Sequence, residues 1–192
     1  MLRDVEELIR VGYTPVDVHT HLTISAWKAA VAHFGEKAAH YESNVEKLML
    51  EVLGGHEIPS VNMLVDLCTF VSLKHIIPLG VADAGHLGKK IEFGLARGNE
   101  QFSAGTASIE KEELVLRDEN GIIFRKLEYA QDERSLVSSS TKQALILVES
   151  LPPFTEDKLQ YVLEELSGLV RVFCGGKCKR FILDKKKTSV EF

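Results

Sequence analysis

The chain has 192 residues, a formal net charge of −5 and 45% hydrophobic content, enough for one packed core or two closely apposed halves. A charged fraction of 27% excludes wholesale disorder, and the negative balance excludes a protein that holds nucleic acid by bulk charge alone. Three cysteines, an odd number, fit a reduced cytoplasmic interior better than a disulfide framework. No apolar run approaches the ~20 residues of a membrane span. The run MLRDVEELIR carries acids where a signal peptide would carry bases. A cytoplasmic protein with no membrane partner is expected.

Residues 13–22, YTPVDVHTHL, alternate Val16 and Val18 with Asp17 and His19 and read as an extended segment. An alanine-rich helix is predicted over residues 25–34, ended by Gly35. Ser43 opens a capping box with Glu46 ahead of Leu48, Met49, Leu50, Val52 and Leu53, and Gly54-Gly55 stops that helix. Ser60 is the predicted N-cap of the next helix, which buries Val61, Leu64, Val65, Cys68 and Val71. Asn62 and Asp66, four apart, share one face of it, and Ser72 and Lys74 come near its end. Polar groups set into an apolar helix need partners, so this pattern points to a buried hydrogen-bond junction or a ligand pocket.

From Ile76 the period changes. Residues 76–81 read as a strand leading to a turn at Asp83, and Ile91, Phe93 and Leu95 mark another. Residues 113–117 and 122–126 flank Asp118-Glu119-Asn120-Gly121, a hairpin whose Asn-Gly supplies the positive φ angles of a tight turn. Residues 144–148 form the next strand, with Glu149 at its end. After Pro152-Pro153, Thr155-Glu156-Asp157 caps a helix carrying Leu159, Val162, Leu163, Leu166, Leu169 and Val170. Phe181-Ile182-Leu183 is predicted as a last strand. The order is α+β, a mixed or antiparallel sheet with packed helices. We read it as a single domain: helical over 1–75, strand-rich over 76–150, helix and strand over 151–192.

Several motifs suggest chemistry. On an extended segment His19 and His21 would face one side and could grip one ion, as in the first metal motif of the amidohydrolases. That barrel takes ~250 residues, so a metal-dependent hydrolase is a remote alternative. Cys174 and Cys178 flank Gly-Gly-Lys as a lone pair where a structural zinc takes four ligands; no metal or other cofactor is expected. Ser135 and Ser138-Ser139-Ser140-Thr141 can cradle a phosphate or ribose, or form an ordinary polar loop. Glu149 can act as a general base, bind an amine, or simply end its strand in solvent. Lys177, Lys179, Arg180, Lys185, Lys186 and Lys187 form either a solvated run of charge or a local basic patch.

Residues 58–83, IPSVNMLVDLCTFVSLKHIIPLGVAD, followed by Ile91-Glu92-Phe93-Gly94-Leu95-Ala96 and Glu100-Gln101-Phe102, resemble the B3/B4 domain of the phenylalanyl-tRNA synthetase β subunit. They are most similar to free-standing proteins built from that domain alone. Ser25-Ala26-Trp27-Lys28, Ser43-Asn44-Val45-Glu46-Lys47-Leu48 and the stretch from Thr141 to Glu149 extend the resemblance over residues 25–172. It implies a B3/B4 editing-domain fold, in which a positioned water hydrolyses tyrosine wrongly esterified to the phenylalanine tRNA. Such a pocket, hydrogen-bonding the tyrosine hydroxyl, rejects phenylalanine strongly. The implied partners are an aminoacyl-tRNA or tRNA acceptor end and a small amino-acid-like ligand. The alternative is a non-catalytic binding module for an amino acid, a nucleotide or an RNA end.

Residue by residue, Asn62 and Asp66 match the Asn and Asp of the family's Asn-Asn-Val-Val-Asp helix. Asp83 matches the Asp of its Pro-Leu-His-Ala-Phe-Asp turn, and Glu149 the Glu of its Leu-Glu strand end. The histidine of Pro-Leu-His falls on Gly80, and the arginine before the Asn-Asn helix on Pro59. The family's Gly-rich segment is replaced by residues 129–138, and its usual Trp-Asn and Arg by Leu127, Glu128 and Tyr129. The implied site has Glu149 and Thr141 as catalytic candidates, Glu149 orienting a water or an α-amino group. Asn62, Asp66, Ser72, Lys74, Gly80, Asp83, Ser138, Ser139 and Ser140 form the pocket. Asn62 and Asp66 are expected to hold the 78–83 loop by buried hydrogen bonds.

Overall fold

Val5 and Ile9, four apart in MLRDVEELIR, anchor the first helix, α1 (Leu2–Gly12), in the core. In this computed structural model residues 1–34, 41–103, 109, 111, 113–125 and 130–190 are described. Gly35 and residues 126–129, which figure in the sequence reading, lie outside them. Between Val5 and Ile9, Glu6 is fully buried, held by Arg3 Nη1 at 2.6 Å and by the Ile58 backbone N–H at 3.1 Å.

The predicted extended segment at 13–22 is instead helical. Thr14 and Asp17 form a reciprocal capping box around Pro15 at the first helical position, starting α2 (Pro15–Thr20). Capping chemistry overrides the Val-x-Val alternation. His19 and His21, two residues apart at a helix end, do not face one ion. His19 Nδ1 lies 2.8 Å from Glu46 Oε1, while His21 Nδ1 accepts from Thr23 N–H and caps α3 (Leu22–Val31). Burial lowers the His21 pKa, in keeping with a neutral acceptor.

Ser43 caps α4 (Asn44–Leu53) as predicted, its hydroxyl accepting from Glu46 N–H at 3.2 Å, and Gly54-Gly55 ends it with φ +87° at Gly55. The box is only half made. The Glu46 carboxylate turns away into the core, where Lys28 Nζ donates to it at 2.5 Å.

Asn62, not Ser60, is the N-cap of α5 (Met63–His75): its Oδ1 accepts from Val65 N–H at 3.1 Å. Ile76 closes the helix in the left-handed region, φ 50° and ψ 55°, a costly conformation for a β-branched residue. The side chain is 5% exposed, and its burial offsets that strain.

The strands form two antiparallel sheets rather than one. β1 (Leu79–Asp83) pairs with β6 (Ala144–Val148), Leu79 opposite Val148 and Asp83 opposite Ala144. The second sheet runs β2 (Glu92–Leu95), β3 (Leu114–Asp118), β4 (Gly121–Arg125), β5 (Ala130–Gln131). The β3–β4 hairpin differs in detail from its prediction. Glu119 and Asn120 make the turn, and the positive φ falls on Gly121 alone, at 138°. Gly121 also meets a close approach: a Cβ there would lie 2.6 Å from Gln101 O. The register shifts at Leu116/Arg117 and leaves Ile123 with no partner opposite it on β3, and Ile123 and Phe124 both enter the cluster with Ala82 and Leu116.

α6 (Glu156–Phe173) is capped by Thr155 as predicted and packs Val162 and Leu166 against Cys68 and Val71 of α5. The strand predicted at 181–183 does not form. The chain there returns beside α6, Cys178 Sγ lying 3.9 Å from Ser167 O and Arg180 Nη1 3.6 Å from Glu164 Oε1, and a helix face offers no ladder partner. The α+β expectation holds: helices pack around two antiparallel sheets. No helix among the described residues is long and apolar enough to cross a membrane.

Candidate functional site

A hollow of about 180 Å³ opens where α4, α5, β1 and β4 meet. Its apolar walls are Leu48, Val65, Cys68, Leu79, Val81 and Phe124; its polar groups are Asn44, Thr69, Ser72, Gln131 and Glu149. It is smaller than the ~300–1,000 Å³ that holds drug-sized ligands. It suits one ring or one amino-acid side chain, since a ~150 Å³ apolar cavity already admits benzene.

Most polar groups around it are structural. Asn44 Nδ2 donates to Leu79 O at 2.5 Å, tying α4 to β1. The Ser72 hydroxyl donates to Ile77 O at 2.7 Å and secures the chain after α5. Gln131 Nε2 donates to Val81 O at 3.0 Å and to Ser135 O at 2.9 Å. Glu149 and Cys68 are the titratable side chains among the described residues lining the hollow, and burial pushes the Cys68 thiol up to about 12. Glu149 is fixed to β1 by its backbone N–H, which donates to Pro78 O at 3.0 Å.

Gly80 sits on the floor under Phe124: a Cβ there would lie 3.5 Å from Phe124 Cζ. The hollow therefore meets an aromatic ring at Gly80.

The structure brings Ser72, Gly80 and Glu149 together around the hollow and disperses the other candidates. Asn62 Nδ2 donates to Val137 O at 3.3 Å, and Asp66 accepts from Val61 N–H at 2.9 Å and from the Ser60 hydroxyl. Neither holds the 78–83 loop. A carboxylate four residues into a helix reaches back to the free N–H groups before it more readily than across to a neighbouring strand. Lys74 lies at the far end of α5, bonded to Glu165 on α6 and 5.8 Å over the Phe70 ring.

Asp83 and Thr141 sit at the other end of the β1–β6 ladder from Glu149, with Ser138, Ser139 and Ser140 in the exposed loop beside them. The Thr141 hydroxyl donates to Asp83 Oδ2 at 2.7 Å and accepts from Ser138 N–H at 3.0 Å. The Ser138 and Ser140 hydroxyls lie 2.8 Å apart. The five-residue ladder between Thr141 and Glu149 is itself about 14 Å long at ~3.4 Å per residue, too far for both to touch one reacting atom.

A wider depression of about 460 Å³ lies near Gln101, Phe102, Ser103, Asn120 and Glu133. It is shallow, and its charged residues face one another: Arg134 Nε is 3.4 Å from Asp132 Oδ1. The narrower hollow, with a carboxylate beside its apolar walls, is the better site.

The sequence model of the B3/4 domain matches residues 26–175, most of the chain. The chain belongs to the B3/4 domain family. The match takes in α4, α5, both sheets and α6, and so every wall of the hollow. No curated protein sequence matches the chain. Within the B3/4 domain, Asn44, Cys68, Thr69, Phe124 and Gln131 line the hollow without having been legible as site residues. Thr69 could have been found, since it falls one turn before Ser72 on the same face of α5. Gln131 and Phe124 come from another sheet and carry no local signal.

Proposed function

We propose that the hollow receives the aminoacyl end of a tRNA, the amino-acid side chain inside and Glu149 at its mouth, as a free-standing editing domain would. The observation that carries this reading is one carboxylate beside an apolar enclosure sized for a single side chain. Acceptor oxygens on Glu149, Thr69 and Gln131 suit an α-ammonium and a polar side-chain end, while Leu79, Val81 and Phe124 exclude water from the rest. In the reaction such a pocket serves, water adds to the ester carbonyl. The bond to the ribose oxygen breaks, that oxygen takes the proton, and the amino acid leaves. Glu149 orients the α-amino group or the attacking water.

A second reading, binding without hydrolysis, draws support from Thr141, whose hydroxyl is engaged away from the hollow, and from Gly80, which brings no imidazole. Deacylation of mischarged tyrosyl-tRNA separates the two. Release by the wild type that falls at least tenfold in Glu149→Gln supports editing. Tight binding of the mischarged tRNA with release at the uncatalysed rate supports the binding module. Neither binding nor release ends both.

A further inference from the structure

Beyond α6 the chain changes sign. From Lys177 to Lys187 it carries six cations, Lys177, Lys179, Arg180, Lys185, Lys186 and Lys187, against the single acid Asp184, in a protein of net charge −5. The whole of this stretch lies past residue 175, where the B3/4 match ends.

The fold arranges these charges. Gly175 and Gly176 both adopt positive φ, 73° and 85°, and turn the chain back beside α6. Cys178 and Arg180 then face the helix through Ser167 O and Glu164, and Lys177 and Lys179 are exposed. Asp184 Oδ1 accepts the backbone N–H groups of Lys186 and Lys187 at 2.7 and 2.6 Å, so it spends its charge on a turn that presents three lysines together. Among the described residues, Arg180 is the one of the six in a close ion pair, with Glu164, while Lys187 also feels the Asp184 carboxylate. Phe173 and Phe181, in the same part of the chain, are 49% and 40% exposed.

We propose that this strip is a binding surface for the phosphodiester backbone of RNA. Ammonium groups on flexible stems are point charges that suit phosphates without reading sequence, and exposed aromatic faces accept unpaired bases. A polybasic membrane contact would need an adjacent spanning helix or a free apolar helix face, and α6, the helix next to these lysines, spends Val162 and Leu166 on the packing against α5. The inference rests on the tRNA partner proposed above, not on hydrolysis. α6 backs the α5 wall of the hollow through Val162, Leu166 and Cys68, so strip and hollow share one scaffold.

The test is the salt dependence of deacylated tRNA binding to the full chain, by fluorescence anisotropy over a NaCl series. The triple variant Lys185→Gln/Lys186→Gln/Lys187→Gln changes only exposed side chains, and an unchanged Tm verifies its fold. Each lysine that neutralises a phosphate adds ~0.7 to the slope of log K against log [salt], so without these three the slope should become shallower by about 2. Low-salt affinity should fall at least tenfold. Equal slopes and affinities for variant and wild type overturn the strip, even if mischarged tRNA is deacylated. Lysine-dependent binding to phosphatidylserine vesicles with no binding to tRNA also overturns it. A shallower slope in the triple variant together with no deacylation by the wild type leaves the strip standing and removes the editing reading.

Discussion

The Thr141 hydroxyl donates to Asp83 Oδ2 at 2.7 Å, fastening the loop before β6 to the end of β1. Asp83 is 3% exposed and also accepts Gly85 N–H at 2.9 Å. The Thr141 hydroxyl above all, helped by Gly85 N–H and by His86, holds the Asp83 carboxyl below the usual carboxylate range despite its burial. Thr141→Val should cost about 2 kcal/mol, a Tm loss of about 4–8 °C at this size. A carboxyl whose pKa is depressed by folding contributes stability above its unfolded value of ~3.9 and loses it as pH falls through the folded value. The Tm gap between wild type and variant should be full at neutral pH and close in acid. A gap that widens in acid would contradict this assignment.

Gly80 tests the space in the hollow. The Cβ of Gly80→Ala would make ordinary contact with Phe124 at 3.5 Å, and alanine is the better strand residue. We expect Tm to hold or rise by about 1–3 °C, while affinity for an aromatic amino-acid amide falls by about threefold or more. A folded variant with undiminished affinity would place the ligand elsewhere.

The cysteines report on the wall between α5 and α6. Cys68 is 3% exposed with its pKa pushed up to about 12, chiefly by burial, whereas Cys174 and Cys178 are exposed. A thiol-exchange reagent at mildly alkaline pH should label Cys174 and Cys178 in the native protein, and Cys68 only in denaturant. Equal rates at all three sites would mean that α6 does not stay packed on α5.

Where local chemistry decides an element, the sequence was readable. Ser43 and the Gly54-Gly55 pair delimit α4, Thr155 starts α6, and the turn at 118–121 joins β3 to β4. The segment at 13–22 was misread because two signals compete there, and the Thr14–Asp17 box with Pro15 outweighs a two-valine alternation. The hollow was legible on one side only. Ser72, Gly80 and Glu149 belong to the 58–83 motif and to β6's end, but Phe124 and Gln131 arrive through tertiary packing alone. The spacing of Asn62 and Asp66 announces two polar groups on one face. It does not say that the amide caps its own helix while the carboxylate turns back to Val61.

Arg134 joins three segments. Its guanidinium forks onto Asp118 at 2.8 and 2.9 Å and donates to His86 O at 3.2 Å and Gly121 O at 3.3 Å. Burial opposes ionisation of Asp118, but Arg134 and the N–H groups of Gly88 and Asn120 outweigh it and keep its pKa low. Lysine cannot reproduce the fork. Arg134→Lys should lose about 2–3 kcal/mol in urea denaturation at neutral pH. A loss below about 0.5 kcal/mol would show the hub to be dispensable.

In the function proposed here, Glu149 meets the α-ammonium of an amino acid whose side chain fills the hollow. Calorimetric titration with tyrosinamide, which keeps the ammonium and lacks the tRNA, measures this most directly. Saturable binding to the wild type is expected, weakened about tenfold, some 1.4 kcal/mol, in Glu149→Gln and equally by acetylating the ligand's amine. Identical affinities for wild type and Glu149→Gln, or for the free and acetylated amides, would contradict it.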